Sequence, residues 1–477
     1  MSNASTLAGK RINSLLDENS FVEIGAQITA RNTDFGLAKT ETPSDGVITG
    51  YGTINDSLVY VYSQDASVLG GTIGEMHARK ITALYDMAMK MGAPVIGLID
   101  CAGLRLQEAT DALNSFGEIH KKQSMASGVI PQITAVLGNC GGGLALFPGL
   151  TDFTFMAGEN ARLFVNTPNA LSGNHTDKVD TASAKFQSEK AGLVDVTGTE
   201  NEIFANIRRL VSLLPANNEE DVPEAECADD LNRVCADLAN AAGDTSILLS
   251  QIADEGDFFE LKPDYAKEMV TGFLRLNGVT VGAVANRTDV YDADGNKAES
   301  FDSALTAEGC EKAQEFVDFC DAFGIPVLTL TNAAGFKADL ESESRIARAA
   351  AKLTYAFVNA NVPKVNVIIG SAFGSAYNVM NSKAAGADVT FAWTGASIGM
   401  MDADLAAKIM YAGQDSSVIS EKAAEYASLQ SSVESAAKRG YVDTIIEPED
   451  TRKYVIGAFE MLYTKREDRP VKKHGTV

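Results

Sequence analysis

The sequence predicts an α/β protein that contains two copies of one domain. The segment "GAPVIGLIDCAGLRL" (Gly92–Leu106) returns as "GIPVLTLTNAAGFKA" (Gly324–Ala338), with Pro94 falling on Pro326, an offset of 232 residues. The same offset carries "VIPQITAVLGNCGGGLAL" onto "NVPKVNVIIGSAFGSAYN", and after four further residues "TDFTF" falls near "ADVTFAW". At 477 residues the chain also exceeds the ~250–300 residues that a single core supports. We expect the copies at roughly residues 40–215 and 245–450.

Each copy alternates helices with short strands. "EMHARKITALYDMAMKMG" has apolar residues at helical spacing, whereas "PVIGLID" and "ITAVLG" are β-branched runs bounded by Pro or Gly, as in strands buried on both faces. The predicted order is helix, strand, glycine turn, helix, strand, glycine turn, helix. This order indicates parallel strands with crossover helices, so functional loops are expected at the carboxyl ends of the strands.

A linker is predicted between the two copies. "PANNEEDVPEAECADD" (Pro215–Asp230) is acidic and contains two prolines, while the helical patterns "NEIFANIRRLVSLL" and "LNRVCADLANAA" lie on either side of it. We therefore expect an N-terminal domain over residues 1–230 and a C-terminal domain over residues 231–477.

Composition excludes several functions. A net charge of −24 argues against nucleic-acid binding, although a few placed basic residues could still hold a phosphorylated small molecule. The six cysteines show no C-x-x-C spacing, so neither a disulfide framework nor a metal site is indicated. The sequence has no long apolar run and no pattern of a secretory signal, which predicts a cytoplasmic protein.

Three successive glycines in "GNCGGGLALF" raise the question of what approaches this backbone. The segment lacks the Lys-Ser/Thr of a P-loop and the spaced glycines of a dinucleotide site. Exposed N–H groups at a helix start bind negative charge, and they form an oxyanion hole if the charge develops during a reaction. The strand-end loop "DCAGLRLQE" would supply the second donor for a thioester oxygen. The repeat predicts a second hole from Ala334–Phe336 and Gly374–Ala376.

Long stretches of both halves resemble the carboxyltransferase family of biotin-dependent acyl-CoA carboxylases, transcarboxylases and decarboxylases, and most of all its propionyl-CoA/methylmalonyl-CoA type. They include "YSQDASVLGGTIGEMHARKI", "LRLQEATDALNSFGEIHKKQSMASGVIPQITAVLGNCGGGLALFPGLTDFTFM", "KAQEFVDFCDAFGIPVL", "VPKVNVIIGSAFGSAYNVMNSKAAGADVTFAW" and "RGYVDTIIEPEDTRKYVIGAFEMLYTKREDRPVKKHG". The resemblance covers nearly the whole chain.

This resemblance implies two tandem crotonase-like (ββα-superhelix) domains, the N-terminal one binding acyl-CoA and the C-terminal one biotin, in hexamers whose unlike halves face each other. The implied thioester hole takes its donors from Gly103 or Leu104 together with Gly142, Gly143 or Leu144, and the implied biotin hole from Gly335 or Phe336 together with Gly374, Ser375 or Ala376. The implied cofactor contacts are Gly70, Gly71, His77, Arg105 and Asn378, with Arg79 and Lys80 as further candidates for the CoA phosphates.

The family mechanism implies carboxyl transfer through a thioester enolate and a biotin anion, which itself removes the α-proton. No side-chain base is needed, so the four histidines, His77, His120, His175 and His474, are interpreted mainly as structural. "AMKM" has the letters of a biotinylation site, but Lys90 falls on a predicted helix. Biotin is therefore expected on a separate carrier protein, with a biotin carboxylase or membrane decarboxylase subunits as further partners.

The sequence departs from the family pattern mostly in its C-terminal half. The usual Asp-Val-Pro-Gly-Phe is Asn332–Phe336 here, and Ser375 replaces a glycine, so the departures affect the implied biotin side more than the implied CoA side. Asn378 stands where the family often tunes acyl selectivity. In the N-terminal half, Cys101–Arg105 replaces Ser-Gly-Gly-Ala-Arg and Cys140–Leu144 replaces Cys-Ala-Gly-Gly-Ala.

Three alternatives stay open from the sequence. The chain could be the α subunit of a sodium-pump type decarboxylase of methylmalonyl-CoA or glutaconyl-CoA. A crotonase-type hydratase or thioester hydrolase would need an acid-base carboxylate near the first hole, and Glu108 and Glu118 are the nearest. A non-catalytic assembly subunit would retain CoA binding and lose biotin binding.

Overall fold

A computed structural model of the chain describes residues 5–31, 34–292 and 294–467. The chain folds into two compact units, Met1–Pro223 and Glu224–Val477, called the first and the second unit below. Each unit contains one eight-stranded sheet with helices packed against it. Within the described residues, no helix is both long and apolar enough to cross a membrane.

The helices and strands of the first unit are α1 (Leu7–Leu15), β1 (Val22–Ile24), β2 (Val47–Ile54), β3 (Ser57–Gln64), α2 (Glu75–Met91), β4 (Val95–Cys101), α3 (Ala109–Ala126), β5 (Gln132–Gly141), α4 (Leu146–Leu150), β6 (Phe153–Ala157), β7 (Arg162–Phe164), α5 (Ala184–Glu189), β8 (Val196–Gly198) and α6 (Glu200–Leu213). The sheet order is β1-β2-β3-β4-β5-β6-β8, with β7 pairing to β5. From β3 onward the neighbouring strands are parallel.

The second unit consists of α7 (Thr245–Ile252), β9 (Phe258–Leu261), β10 (Met269–Leu276), β11 (Val279–Asn286), β12 (Asp289–Tyr291), β13 (Lys297–Ser300), β14 (Ala304–Leu305), α8 (Ala307–Ala322), β15 (Val327–Ala333), β16 (Gly335–Phe336), α9 (Leu340–Glu343), α10 (Ile346–Asn359), β17 (Lys364–Phe373), α11 (Gly374–Val379), β18 (Val389–Trp393), β19 (Ser397–Gly399), α12 (Ala403–Met410), α13 (Ser416–Tyr426), α14 (Val433–Lys438), β20 (Thr444–Ile446) and α15 (Thr451–Leu462). Its main sheet runs β9-β10-β11-β15-β17-β18-β20, with β19 pairing to β17.

The two sheets confirm the internal repeat. Strands β4 and β15 begin and end 232 residues apart, and so do β5 and β17. Strands β6 and β18 are 236 residues apart, which accounts for the four extra residues predicted from the sequence. Because the strand orders also match, the equivalent strand ends of the two units carry equivalent turns.

Helix ends follow from local sequence. Helix α2 stops at Gly92, which adopts the left-handed conformation (φ 61°) and donates its N–H to Ala88 O. Helix α6 begins with a capping box between Thr199 and Glu202. Lys90 lies in the last turn of α2, so the "AMKM" segment is helical, as predicted, and not a biotin-bearing hairpin.

One helix prediction is wrong. "LNRVCADLANAA" forms no α-helix, and only Leu238–Ala241 makes a single 3₁₀ turn. Asp237 has φ 60°, which breaks a right-handed helix, and the Cys235 N–H donates to Glu449 O instead of to a local carbonyl. Tertiary hydrogen bonds thus override the apolar spacing of this segment.

Candidate active site

The turn after β4 is fixed by two backbone hydrogen bonds to the strand-like residue Ile73. Ile73 N–H donates to Gly103 O at 2.9 Å, and Arg105 N–H donates to Ile73 O at 3.0 Å. Gly103 has φ 112°, which favours glycine, and its N–H donates to Cys101 Sγ at 3.3 Å. The Leu104 N–H has no partner among the residues that the structure describes. Of the two predicted donors in this turn, Leu104 is therefore the one whose N–H is available.

The glycine-rich turn follows directly on β5. Residues Gly142–Ala145 form a 3₁₀ turn that runs into α4, and Gly142 has φ 65°. The first N–H groups of such a turn have no carbonyl partner within it. The N–H groups of Gly142 and Gly143 therefore open this turn at the carboxyl end of β5 and have no carbonyl partner within it, whereas the Leu144 N–H lies at the position that bonds back to Gly141 O.

Two of the three glycines are explained by aromatic rings of the same unit. A Cβ on Gly141 would lie 2.7 Å from the ring of Phe164, and a Cβ on Gly143 would lie 3.0 Å from the ring of Phe116. Around Gly142, by contrast, no atom lies within 4 Å of such a Cβ. The rings of Phe164 and Phe116 thus account for glycine at positions 141 and 143, and the positive φ accounts for glycine at position 142.

The first unit brings these two turns together. Strands β4 and β5 are parallel neighbours, and Cys101 pairs with Cys140 at their carboxyl ends. The turn that holds Leu104 therefore begins next to the turn that holds Gly142, since hydrogen-bonded strands lie about 4.8 Å apart. Their joint role as an oxyanion hole stays a prediction.

The second unit repeats this arrangement. Strands β14 and β16 pair so that Leu305 matches Phe336, and Lys337 N–H donates to Leu305 O at 2.9 Å, the counterpart of the bond from Arg105 to Ile73. Across the sheet, β15 and β17 pair at Ala333 and Ala372. Gly374, at the start of α11, has φ 59°. Ser375 and Ala376 follow it in the first turn of α11, so the predicted donors of the second hole also lie at adjacent strand ends.

Arg105, a predicted contact of the CoA phosphates, is enclosed by groups of the first unit. Its side chain is fully buried, and Nη1 contacts Asp45 Oδ1 at 2.6 Å and Glu108 Oε1 at 2.8 Å. Its Nη2 donates to Thr72 O at 2.8 Å. Groups of the same unit therefore neutralise the guanidinium, and its predicted contact with a CoA phosphate stays a prediction. Asp45, about 60 residues before Arg105, has no sequence pattern that would have revealed it.

His77 and Lys80 are enclosed in the same way. His77 is fully buried, and its backbone N–H donates to Asp45 Oδ2 at 2.8 Å. Desolvation holds the pKa of its imidazole ring well below the usual value. Lys80 is buried too, and its Nζ donates to Ser44 O at 3.0 Å. Arg79 is 58% exposed and pairs with Glu75 at 2.7 Å, so of these three basic candidates on α2 it is the accessible one.

The remaining cofactor candidates lie near the turns. Gly70 and Gly71 have φ values of 67° and 65°, and Gly70 O accepts the N–H of Ala102 at 3.0 Å. A Cβ on Gly71 would lie 2.4 Å from Asp100 O, so both glycines pack directly against the turn after β4. Asn378 lies on α11, where its Oδ1 accepts the hydroxyl of Ser382 at 3.3 Å.

The acid-base candidates are mostly engaged or remote. Glu108 is buried in its pair with Arg105 and accepts the N–H of Glu75 at 2.6 Å, which leaves it unsuited to proton transfer with a substrate, whereas Glu118 is exposed on α3. His120 packs between Phe116 and Phe147, with ring centroids 4.5 and 5.6 Å away, and desolvation lowers its pKa. His175 is exposed beside Asp177, and His474 lies outside the described residues.

Comparison with known proteins agrees with this geometry. A family model described as "Carboxyl transferase domain" matches residues 2–477. Methylmalonyl-CoA decarboxylase subunit alpha of Propionigenium modestum is 39% identical, over 98% of this chain and 92% of the relative. Propionyl-CoA carboxylase beta chain of Roseobacter denitrificans is 40% identical, over 98% and 93%.

A solved structure supports the same relationship. The crystal structure of transcarboxylase 12S, a hexamer with methylmalonyl-CoA and methylmalonic acid bound, superimposes with a TM-score of 0.92 at 35% identity, over 98% of this chain and 92% of that chain. The expected tandem crotonase-like α/β fold is thereby confirmed. With a family model spanning nearly every residue and relatives at about 40% identity over more than nine-tenths of their lengths, the chain belongs to the carboxyl transferase family.

Proposed function

We propose that the protein transfers a carboxyl group between a CoA thioester of the propionyl/methylmalonyl class and biotin carried on a separate protein. The observation that carries this proposal is the pair of equivalent turn sets at the carboxyl ends of β4 and β5 and of β15 and β17. A reaction that develops negative charge on two different oxygens requires two sets of backbone donors. A single-site hydratase or hydrolase would leave the second set without a role.

In the first unit, the N–H of Leu104 and the N–H groups of Gly142 and Gly143 hold the thioester oxygen as it becomes an enolate. A preset backbone donor at such an oxygen contributes about 3–4 kcal/mol to transition-state stabilisation. Because these donors belong to turns fixed by strand pairing and by the bonds to Ile73, they do not reorganise when the charge develops.

In the second unit, the N–H groups of Phe336, Gly374, Ser375 and Ala376 hold the ureido oxygen of biotin. Biotin, when delivered by its carrier, supplies the nitrogen that accepts or donates the carboxyl group and the base for the α-proton. Asn378 follows on the same helix and is a candidate for acyl or biotin selectivity. The burial of Glu108 and His77 supports a mechanism without a side-chain base.

The same proposal covers partners and assembly. The relatives include both a carboxylase subunit and a decarboxylase subunit at nearly equal identity, so the direction of transfer is set by partners: a biotin carboxylase or membrane decarboxylase subunits. We propose a hexamer, by similarity to transcarboxylase 12S, and a cytoplasmic protein that acts with a biotin carrier.

The test uses the purified full-length protein with free biotin and a panel of malonyl-, methylmalonyl- and glutaconyl-CoA. Loss of the thioester carboxylate is followed with and without biotin. We expect biotin-dependent decarboxylation of methylmalonyl-CoA, faster than that of the other two. The variant Gly374→Ala should lower the biotin-dependent rate and leave thioester binding unchanged, since it alters only the second set of donors.

Two results would contradict the proposal. Turnover that does not depend on biotin would indicate a hydrolase or hydratase centred on the first unit. Thioester binding without turnover, at saturating biotin, would indicate an assembly subunit that has lost the second site.

A further inference from the structure

We propose that Asp100 is a positioning residue whose carboxylate fastens the two donor turns of the first unit to each other, and that Asn332 does the same in the second unit. This inference rests on the proposed function, because it assigns the two turns a shared catalytic geometry. The fastening itself is a structural statement that can be tested without any substrate.

The carboxylate of Asp100 crosses from one strand to the next. Asp100 is the penultimate residue of β4, and its Oδ1 accepts the backbone N–H of Asn139 on β5 at 3.4 Å. A Cβ on Gly138 would lie 2.0 Å from that same Oδ1. Glycine at position 138 therefore makes room for a side chain that joins the ends of β4 and β5.

A buried arginine holds the Asp100 carboxylate in this position. Arg11, on α1, donates from Nη1 to Asp100 Oδ2 at 3.0 Å and from Nη2 to Glu200 at 2.6 Å, and its side chain is only 6% exposed. The backbone N–H of Asp100 donates to Gln64 Oε1 at 3.3 Å. Charge pairing and a neighbouring strand thus fix both the side chain and the backbone of Asp100.

The second unit repeats the crossing with a neutral side chain. Asn332 Oδ1 accepts the N–H of Ser371 at 3.0 Å, and a Cβ on Gly370 would lie 2.5 Å from it. The N–H of Asn332 donates to Asn286 Oδ1 at 2.9 Å, as that of Asp100 does to Gln64. Because an aspartate and an asparagine make the same link at matching positions, the shared element is the acceptor oxygen and not the charge.

The link lies close to the donors. Asp100 precedes Leu104 by four residues, and Asn139 precedes Gly142 by three. A donor set stabilises an enolate only when both N–H groups are placed correctly, and misplacement by about 1 Å can cost about 10²-fold in rate. The bond joins the two strand ends from which the donor turns depart, and it therefore limits how far the donors can separate.

The first experiment is hydrogen–deuterium exchange on the assembled full-length protein. In Asp100→Ala we expect faster exchange in peptides covering residues 101–105 and 138–146, with peptides outside these segments and α1, which carries Arg11, unchanged. Asp100→Asn keeps an acceptor oxygen and should exchange more slowly than Asp100→Ala. Asn332→Ala is the matched control, and its effect should be confined to residues 333–337 and 370–376.

The second experiment measures biotin-dependent decarboxylation by the same variants. We expect Asp100→Ala to lower kcat on the order of 10²-fold with little change in KM, because the donors act in the transition state. Asp100→Asn should recover most of that loss. A merely structural role would lower the active fraction without this rescue pattern.

The outcomes separate the two proposals. Unchanged exchange at 101–105 and 138–146 in Asp100→Ala would overturn the link, whatever the activity. Faster exchange there with an unchanged kcat, or with a rise in KM alone, would overturn its positioning role. If the wild-type protein shows no biotin-dependent turnover, the proposed function fails, and the exchange data still decide whether Asp100 joins the turns.

Discussion

Each unit contains a buried lysine at the same position of the repeat, and these two lysines make the free energy of unfolding depend on pH in the neutral to alkaline range. Lys312, on α8, is 3% exposed and donates from Nζ to Lys262 O and Tyr265 O, both at 2.8 Å. Its equivalent Lys80, on α2, is 4% exposed and donates to Ser44 O and Val47 O. Each lysine therefore joins a helix to the segment that leads into an antiparallel strand of the sheet, β2 in the first unit and β10 in the second.

Burial lowers the pKa of both lysines, because a charged ammonium is disfavoured away from water. Desolvation takes the pKa of Lys312 from 10.5 to about 7 and that of Lys80 from 10.5 to about 8. Between its folded and unfolded pKa values, each lysine binds a proton in the unfolded chain and not in the folded one. Stability therefore rises with pH across that window and is lost as pH falls towards the folded pKa.

The magnitude follows from the width of the window. Between pH 7 and pH 9.5, Lys312 contributes about 1.4 kcal/mol per pH unit, or about 3 kcal/mol in all. For Lys80 the window opens at about pH 8, so the same interval yields about 2 kcal/mol. Lys312→Met also leaves two carbonyls unpaired at a cost of about 1–3 kcal/mol each, but that cost does not depend on pH.

The assay is urea unfolding of wild type, Lys312→Met and Lys80→Met at pH 7 and pH 9.5, at one protein concentration. The free energy of unfolding of wild type minus that of Lys312→Met should grow by about 3 kcal/mol between the two pH values, and the corresponding difference for Lys80→Met by about 2 kcal/mol. A difference that stays constant with pH for Lys312→Met would refute the assignment of a deprotonated buried amine.

Two further predictions concern the glycines of the donor turns. Gly141→Ala should lower kcat, because the new Cβ would lie 2.7 Å from the ring of Phe164 and displace it. In a double-mutant cycle, the variant Gly141→Ala/Phe164→Ala should recover activity relative to Gly141→Ala. Losses that simply add would contradict this contact. Gly374→Ala should destabilise the protein more than Gly142→Ala in thermal unfolding, because both positions have positive φ but only Gly374 places the Cβ 3.1 Å from a backbone oxygen, that of Met400. Equal shifts in Tm would contradict the role of that contact.

The repeat and its strands could be predicted from sequence because matched prolines and glycines mark where strands begin and turns form. Pro94 and Pro326 immediately precede β4 and β15, and Gly142 and Gly374 both adopt positive φ. These are local constraints of the backbone, and residue type and spacing are enough to predict them. The pairing of strand ends follows from them once parallel order is assumed.

Side-chain roles could not be predicted in the same way. Arg105 was expected at the CoA phosphates because it follows a donor turn, yet Asp45 and Glu108 neutralise it inside the first unit. Similarly, the rings of Phe164 and Phe116 explain glycines that the sequence associated with a ligand. Glu108 is only three residues from Arg105, but Asp45 and the two rings lie far along the chain from the residues they contact, and no spacing rule records those contacts.

The two units keep the same backbone at the donor turns and support it differently. Behind the first turn, Arg105 joins Asp45 and Glu108 in a buried cluster, and Glu108 also accepts an N–H at the start of α2. At the matching positions of the second unit, Lys337 pairs with Asp302 at the surface, where water screens the pair, and Leu340 is 93% exposed. The first turn is therefore held by a buried network of charges, whereas the second depends on the pairing of β14 with β16 and on the link through Asn332. The two units thus place their donors with equivalent backbone hydrogen bonds and differ in the side-chain contacts that surround those bonds.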